Sequence, residues 1–306
     1  MFELTFLGTS ASAPSIKRGL SSLVVQHDEY RFMVDCGEGT QRQILKSGIG
    51  FKRLNHILLT HGHLDHILGL AGLLSTFMRW EAIEEVNIYG SRHTMERVDD
   101  LVNGVVLRRH PAEIPINLVD IKPGVIFSSE KFQITAFTVD HRGSGSLGFR
   151  FDEFGRRPFI PEAAEALAIP PGPWRKDLVA GKAITLADGS VIQPDQVLGP
   201  EVPGTSLVVV GDVGKPEKLL EHVDGADGLV MEATYLNEER EMAETFGHST
   251  AEQSATLAKE AGVGQLFLTH VSRRYRDEDI LTEARAVFPQ TWLARDFDTY
   301  QIKRTE

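Results

Sequence analysis

An α/β fold carrying one inserted arm is predicted by three observations. Short apolar runs rich in branched side chains recur along the chain, separated by stretches with apolar residues at helical spacing. Four of those runs end beside a histidine or an acid: His56 to Thr60 before His61, Val125 to Val139 before Asp140-His141, Leu207 to Gly211 before Asp212, and Gln265 to Thr269 before His270. From Asp152 to Gly204 the character changes. Proline and glycine accumulate, as in Ile169-Pro170-Pro171-Gly172-Pro173, and the short strands around Ala183 to Ile192 are polar, so this stretch reads as an arm outside the packed core.

Taken in order, Phe2 to Leu7 reads as a strand ending in Gly8-Thr9-Ser10-Ala11-Ser12-Ala13-Pro14, a loop of small residues that lets backbone N–H groups approach a ligand. Leu20 to Gln26 and Tyr30 to Val34 form two strands joined by His27-Asp28-Glu29. Asp35-Cys36-Gly37-Glu38-Gly39 then leads into a helix through Lys46, and Asp35 by itself reads as a helix-capping carboxylate. After His66, Ile67 to Trp80 has helical spacing. Val86 to Tyr89 follows as a strand, Arg92 to Leu101 as a helix, and Ile114 to Ile121, Val125 to Val139 and Leu147 to Phe151 as further strands. Beyond the arm, strands are predicted at Leu207 to Gly211, Gly228 to Glu232, Gln265 to Thr269, Thr291 to Leu293 and Thr299 to Lys303. Helices are predicted at Lys215 to His222, Thr250 to Ala261 (capped by Ser249 or Thr250) and Asp277 to Phe288.

The 306 residues suffice for one large domain, or for one with a smaller appendage, and 42% hydrophobic with 25% charged residues suits a globular protein. No apolar run approaches the length of a membrane span and the N-terminal residues carry no basic leader, so a cytoplasmic location without membrane contact is expected. The single cysteine, Cys36, has no internal disulfide partner and reads as a small packed residue. A net charge of −11 counts against a nucleic-acid substrate unless basic residues gather locally.

The chemistry centres on Thr60-His61-Gly62-His63-Leu64-Asp65-His66, where three imidazoles and a carboxylate fall within six positions at a strand-to-helix turn. Imidazole and carboxylate together suit zinc or another borderline divalent ion. One short turn cannot aim four side chains at one tetrahedral centre, so His61 and His63 could serve one ion and Asp65 and His66 a second. His141, Asp212 and His270, each placed just past a strand, bring the candidate ligands to seven.

These residues resemble the metallo-β-lactamase superfamily and, more narrowly, the ribonuclease Z family of tRNA 3′-processing endonucleases. The likeness is carried in order by Phe6-Leu7-Gly8-Thr9-Ser10, Asp35 to Gln41, the His61 to His66 cluster, the Pro-Pro-Gly-Pro arm, Glu232-Ala233-Thr234, His248-Ser249-Thr250 and Leu268 to Tyr275. It implies an αβ/βα four-layer sandwich of residues 1–306 with a flexible arm at 152–204 that binds tRNA. It further implies two zinc ions per subunit, manganese or another divalent ion being possible, with His61, His63 and His141 on one, Asp65, His66 and His270 on the other, and Asp212 bridging. The implied activity is removal of the 3′ trailer from precursor tRNA by a bridging hydroxide, leaving a 3′-hydroxyl on the tRNA and a 5′-phosphate on the trailer. Asp65, Glu232 and His248 are the implied catalytic groups, with Arg18, Arg274, Arg175 and Lys176 touching substrate, in a homodimer. The loop Pro14-Ser15-Ile16-Lys17-Arg18-Gly19 departs from the family's Pro-x-Lys-x-Arg-Asn at Ile16 and Gly19. The alternative is a hydrolase of the same fold acting on a small phosphodiester or an ester.

Overall fold

The computed structural model describes residues 1–79, 83–143 and 145–304. Its strands, in chain order, are β1 (Glu3–Gly8), β2 (Ser22–His27), β3 (Tyr30–Val34), β4 (His56–Leu58), β5 (Val86–Gly90), β6 (Ile116–Asp120), β7 (Gly124–Ser128), β8 (Phe132–Thr138), β9 (Leu147–Glu153), β10 (Ile184–Thr185), β11 (Val191–Ile192), β12 (Ser206–Val210), β13 (Gly228–Glu232), β14 (Gln265–Thr269), β15 (Thr291–Leu293) and β16 (Thr299–Gln301). They form two mixed seven-stranded sheets, in the orders β16-β1-β2-β3-β4-β5-β6 and β15-β14-β13-β12-β9-β8-β7, while β10 and β11 pair separately. Among the described residues no helix is long and apolar enough to cross a membrane.

Because alternate residues of a strand point to opposite faces, apolar runs buried on both sides of a sheet feed two cores at once. Phe32 and Val34 of β3 join Leu23 and Val25 of β2, Phe149 and Phe151 of β9, Leu207 and Val209 of β12 and Phe267 of β14 in a core rich in aromatic side chains. The intervening Met33 and Val24 pack with Ile44, Leu70, Leu73, Leu74 and Phe77 of the helices Thr40–Ser47 and Gly69–Phe77. Val208, Leu229, Met231, Leu266 and Leu268 of the second sheet pack with Ala255, Ala258, Ile280 and Ala284 of the helices Ala251–Glu260 and Asp277–Val287. The result is the helix–sheet–sheet–helix layering of the expected sandwich.

Differences from the sequence reading have local causes. The helix expected from Ile67 is two pieces, Leu64–Ile67 and Gly69–Phe77, and its expected end at Trp80 lies outside the described residues. The helix expected at Lys215 to His222 opens with a 3₁₀ turn at Pro216–Leu219, continued by one α-turn at Leu220–Val223; proline suits such a first position because it has no N–H to pair. A helix at Arg240–Phe246 was not anticipated, since it is short, charged and buries only Ala243.

Residues 153–204 form a second compact unit. Helices Pro161–Ala166 and Pro173–Val179, each with proline in its first turn, and the β10–β11 hairpin enclose a small core of Ala164, Ile169, Leu178, Ile184, Ile192, Val197 and Leu198. The arm therefore has a packed interior of its own, which the polar composition of its strands concealed.

One close approach in the larger unit is of consequence for the site. Gly69 N–H donates to the Cys36 carbonyl at 2.8 Å, and Cys36 N–H donates to the His66 carbonyl at 2.7 Å. A Cβ on Gly69 would stand 2.0 Å from the Gly37 carbonyl oxygen. Gly69→Ala should thus lose about 1–3 kcal/mol of stability through overpacking, read as a lower urea midpoint; an unchanged midpoint would show that the turn has room to relax.

Candidate metal centre

The candidate ligand residues all lie just past strand ends. His61, His63, Asp65 and His66 follow β4, His141 follows β8, Asp212 follows β12 and His270 follows β14. A buried strand cannot leave its last carbonyls and N–H groups unpaired, and here they cross between the sheets: Leu147 N–H donates to the Thr60 carbonyl at 2.8 Å, and Val271 N–H to the Thr9 carbonyl at 2.9 Å. These bonds fix the strand ends against one another, so the side chains beyond them converge.

They converge in two groups. His61, His63, His141 and Asp212 bring ligand atoms within 4.8 Å of one another, as do Asp65, His66 and His270. Asp212 faces both groups: its Oδ2 is 3.6 Å from His61 Nε2 and 3.8 Å from His141 Nε2, and its Oδ1 is 3.4 Å from His66 Nε2 and 3.3 Å from His270 Nε2. Asp65 Oδ2 lies 3.7 Å from His66 Nε2 and 3.5 Å from His270 Nε2.

The donor set fits divalent metal ions. His66 Nε2, His270 Nε2 and Asp212 Oδ1 are buried and have no hydrogen-bond partner among the described residues, a cost that a folded protein rarely accepts unless something binds there. Burial pushes the pKa of His61, His63 and His141 down, and neighbouring imidazoles add to this, which favours the neutral ligating form. Burial opposes charge on Asp65 and Asp212 too, yet His270 and His66 hold both carboxyls well below the usual range. For His66 burial works against the proton while Asp212 and Asp35 outweigh it, raising the pKa well above the ordinary value. A cation on Nε2 would take the place of that proton.

Several of the candidate ligands are held from behind. Asp35 Oδ2 accepts the His66 Nδ1–H bond at 2.7 Å, and Asp35 Oδ1 accepts from Thr60 N–H at 2.8 Å. Asp35 takes a left-handed backbone conformation, φ 58°, and the helix Thr40–Ser47 begins after Gly39 without a side-chain cap, so Asp35 orients a ligand and does not cap the helix. Its placement at the end of β3, mirroring Asp212 at the end of β12, was the available signal. His141 donates through Nδ1 to the Gly247 carbonyl at 2.6 Å. Thr234, which the residue-by-residue reading did not single out, accepts from His270 Nδ1 at 2.9 Å and donates to Glu232. Ser12 N–H reaches Asp65 Oδ2 at 3.1 Å, so the small-residue loop does bring a backbone donor to the site.

Glu232, fully buried, accepts from Val213 N–H at 2.6 Å and lies 3.1 Å from His248 Nδ1. Burial opposes a charged His248, but the Glu232 carboxylate outweighs it and lifts the pKa to about 9. His248 also lies close enough to Asp212 and His270 to form a third ligand group, although its Nδ1 is engaged by Glu232.

The remaining predicted residues are spread out. The Arg18 guanidinium points into the protein, donating to Thr9 Oγ1 and the Ala294 carbonyl, both at 2.6 Å, and to Asp277 at 2.9 Å. Arg274 pairs with Glu239 at 3.0 Å. In the arm, Arg175 lies over the Phe159 ring and donates to the Ile169 carbonyl, whereas Lys176 is exposed. Lys17, Arg18, Arg273, Arg276 and Arg295 line one cleft of about 680 Å³ together with Tyr275, Asp277 and Asp296. Cys36 is buried, which pushes its thiol pKa up and leaves it a packing residue.

Two mixed sheets with a histidine–aspartate cluster at their strand ends define a metal-dependent hydrolase of the metallo-β-lactamase fold. A ribonuclease Z from Bradyrhizobium sp. (strain ORS 278) is 48% identical over 302 residues, covering 99% of this chain and all of the relative. The crystal structure of the short form of human tRNase Z superposes with a TM-score of 0.67 at 26% identity, covering 98% of this chain and 99% of the other. The metallo-β-lactamase fold protein YhfI from Bacillus subtilis gives 0.70 at 18% identity and 98% coverage of both chains, a likeness of fold. The chain belongs to the ribonuclease Z family, and its residues 2–159 match the family model of the anti-Pycsar protein Apyc1.

Asp35→Asn keeps the shape but weakens the grip on His66. Zinc affinity at one of the two groups should fall about 10–100-fold in a chelator competition titration, with the other much less affected. Equal weakening of both, or of neither, would contradict the orienting role.

Proposed function

We propose that this chain removes the 3′ trailer from precursor tRNA, using two divalent ions, zinc or a substitute such as manganese. The observation that carries it is the Asp212 carboxylate facing both ligand groups, with the Glu232–His248 pair beside them. His61, His63 and His141 would hold one ion, Asp65, His66 and His270 the other, and Asp212 both. When bound, two such ions activate water and neutralise the phosphoryl oxygens of a phosphodiester.

The chain's own residues supply the rest. Asp65, fixed by Ser12 N–H, orients the attacking water. His248, its Nδ1 engaged by Glu232, has Nε2 left to protonate the departing 3′-oxygen as the phosphorus–oxygen bond breaks, giving a 3′-hydroxyl on the tRNA and a 5′-phosphate on the trailer. Lys17 and Arg273, the cleft cations that no carboxylate pairs among the described residues, supply local positive charge of the kind a protein of net charge −11 needs to hold RNA. Arg274 and the arm residues Arg175 and Lys176 extend the RNA contact. A homodimer in the cytoplasm belongs to the same reading.

A second reading, hydrolysis of a small phosphodiester or ester, is favoured by the acidic net charge. The arm separates the two. It is inserted between β9 and β12, and Asp152 pairs with Ser206 across them, so a short Gly-Ser bridge can replace residues 153–204. That deletion should cut precursor-tRNA cleavage far more than hydrolysis of a chromogenic phosphodiester. Equal losses, or no cleavage of precursor by the intact protein, would favour the second reading.

The acid has its own test. His248→Ala should keep its metal and lose about 10²–10⁴ in turnover on precursor tRNA. The loss should be much smaller on a nitrophenyl diester, whose leaving group departs without a proton. Metal loss in His248→Ala would make it a ligand instead.

A further inference from the structure

Arg142 follows the ligand His141 in a left-handed backbone conformation, φ 46°, which non-glycine residues seldom adopt without being held there. What holds it is visible. A Cβ on Gly247 would lie 2.9 Å from Arg142 Cγ and 3.4 Å from His141 Nδ1, so the absence of a side chain at 247 makes the groove in which the arginine stem runs. The guanidinium then rests over the Phe246 ring, 5.5 Å from its centre. His248 is the next residue but one after Phe246. Tyr235, its ring 6.1 Å from that of His248, feels Arg142 as well: burial raises the phenol pKa, while Arg274 and Arg142 pull it back.

Arg142 is exposed, and no carboxylate pairs with it among the described residues. Other arginines of this region differ: Arg274 pairs with Glu239, Arg276 with Asp279 and Arg18 with Asp277. A cation fixed on an aromatic face at the rim of a metal centre, without a counter-charge, calls for an anion from the substrate.

We propose that Arg142 binds the RNA phosphate one nucleotide to the tRNA side of the scissile bond; this rests on the precursor-cleavage reading. The side follows from the chemistry. Attacking water and leaving oxygen lie on opposite sides of the phosphorus, and the leaving oxygen is the 3′-oxygen of the last tRNA nucleotide. That nucleotide, with its own 5′-phosphate, therefore lies on the side of the acid His248, which is where Arg142 stands.

The test pairs one charge on the protein with one on the RNA. Precursors carrying a neutral methylphosphonate either at that phosphate or at the phosphate one nucleotide into the trailer are compared with the all-phosphate precursor, using wild type, Arg142→Ala and Arg142→Lys. Wild type should lose about tenfold in kcat/KM when the tRNA-side phosphate is neutralised, Arg142→Ala should show a similar loss on the all-phosphate precursor, and the two losses should not add. Arg142→Lys should recover much of the rate. In chelator, Arg142→Ala should also flatten the dependence of binding on log[salt] by about 0.7, the share of one phosphate contact on single-stranded nucleic acid. Fully additive losses, or coupling to the trailer-side phosphate instead, would overturn the assignment while leaving precursor cleavage intact. No wild-type cleavage of the all-phosphate precursor would overturn both.

Discussion

Everything at the metal edge depends on one buried carboxylate. Asp212 is almost fully buried, where an isolated anion would cost several kcal/mol, and it stays charged chiefly because His270 and His66 lie 3.3 and 3.4 Å from its Oδ1. Those imidazoles come from both sheets, so the layers must close in one register for the charge to be compensated. The crossing bonds Leu147 N–H to Thr60 and Val271 N–H to Thr9 set that register in the backbone, and the side chains inherit it.

Behind the ligands runs a second set of groups, and its order explains why the site is stiff. Asp35 grips Thr60 and His66, Thr234 links His270 to Glu232, and Glu232 in turn faces His248. His270 and His248, whose rings lie 5.6 Å apart, are thus joined through a threonine hydroxyl and a carboxylate. Such a chain holds orientations that individual side chains, with two or three free torsions each, would not keep.

Much of this was legible in the sequence because the signals were dense. Four His or Asp side chains within six positions, and the recurring sequence of apolar strand followed by His or Asp, disclosed both the sheet edge and the side chains that gather there. Asp35 was harder: a carboxylate before glycines and a helix satisfies the capping pattern equally well, and only the fold brings Thr60 and His66 to it. Arg18 and Arg142 show the same limit from opposite sides. Nothing local distinguishes a guanidinium turned inward to Asp277 from one left open over an aromatic ring, because the partners lie far along the chain. The arm's small core escaped notice for another reason: seven buried apolar residues spread across residues 164–198 give no periodic stretch long enough to read.

The spread of the ligands along the chain has a consequence for how the protein is made. His61 to His66 leave the ribosome early, Asp212 follows much later and His270 later still. The nascent chain therefore displays these four side chains long before the full cluster can assemble, and a divalent ion met at that stage would be discriminated by intrinsic affinity alone, which favours copper over zinc. Geometry enters only when β12 and β14 have docked. Because Asp212 and His270 are synthesised late, the convergence of the whole cluster, with any selectivity its geometry confers, is a property of the finished fold.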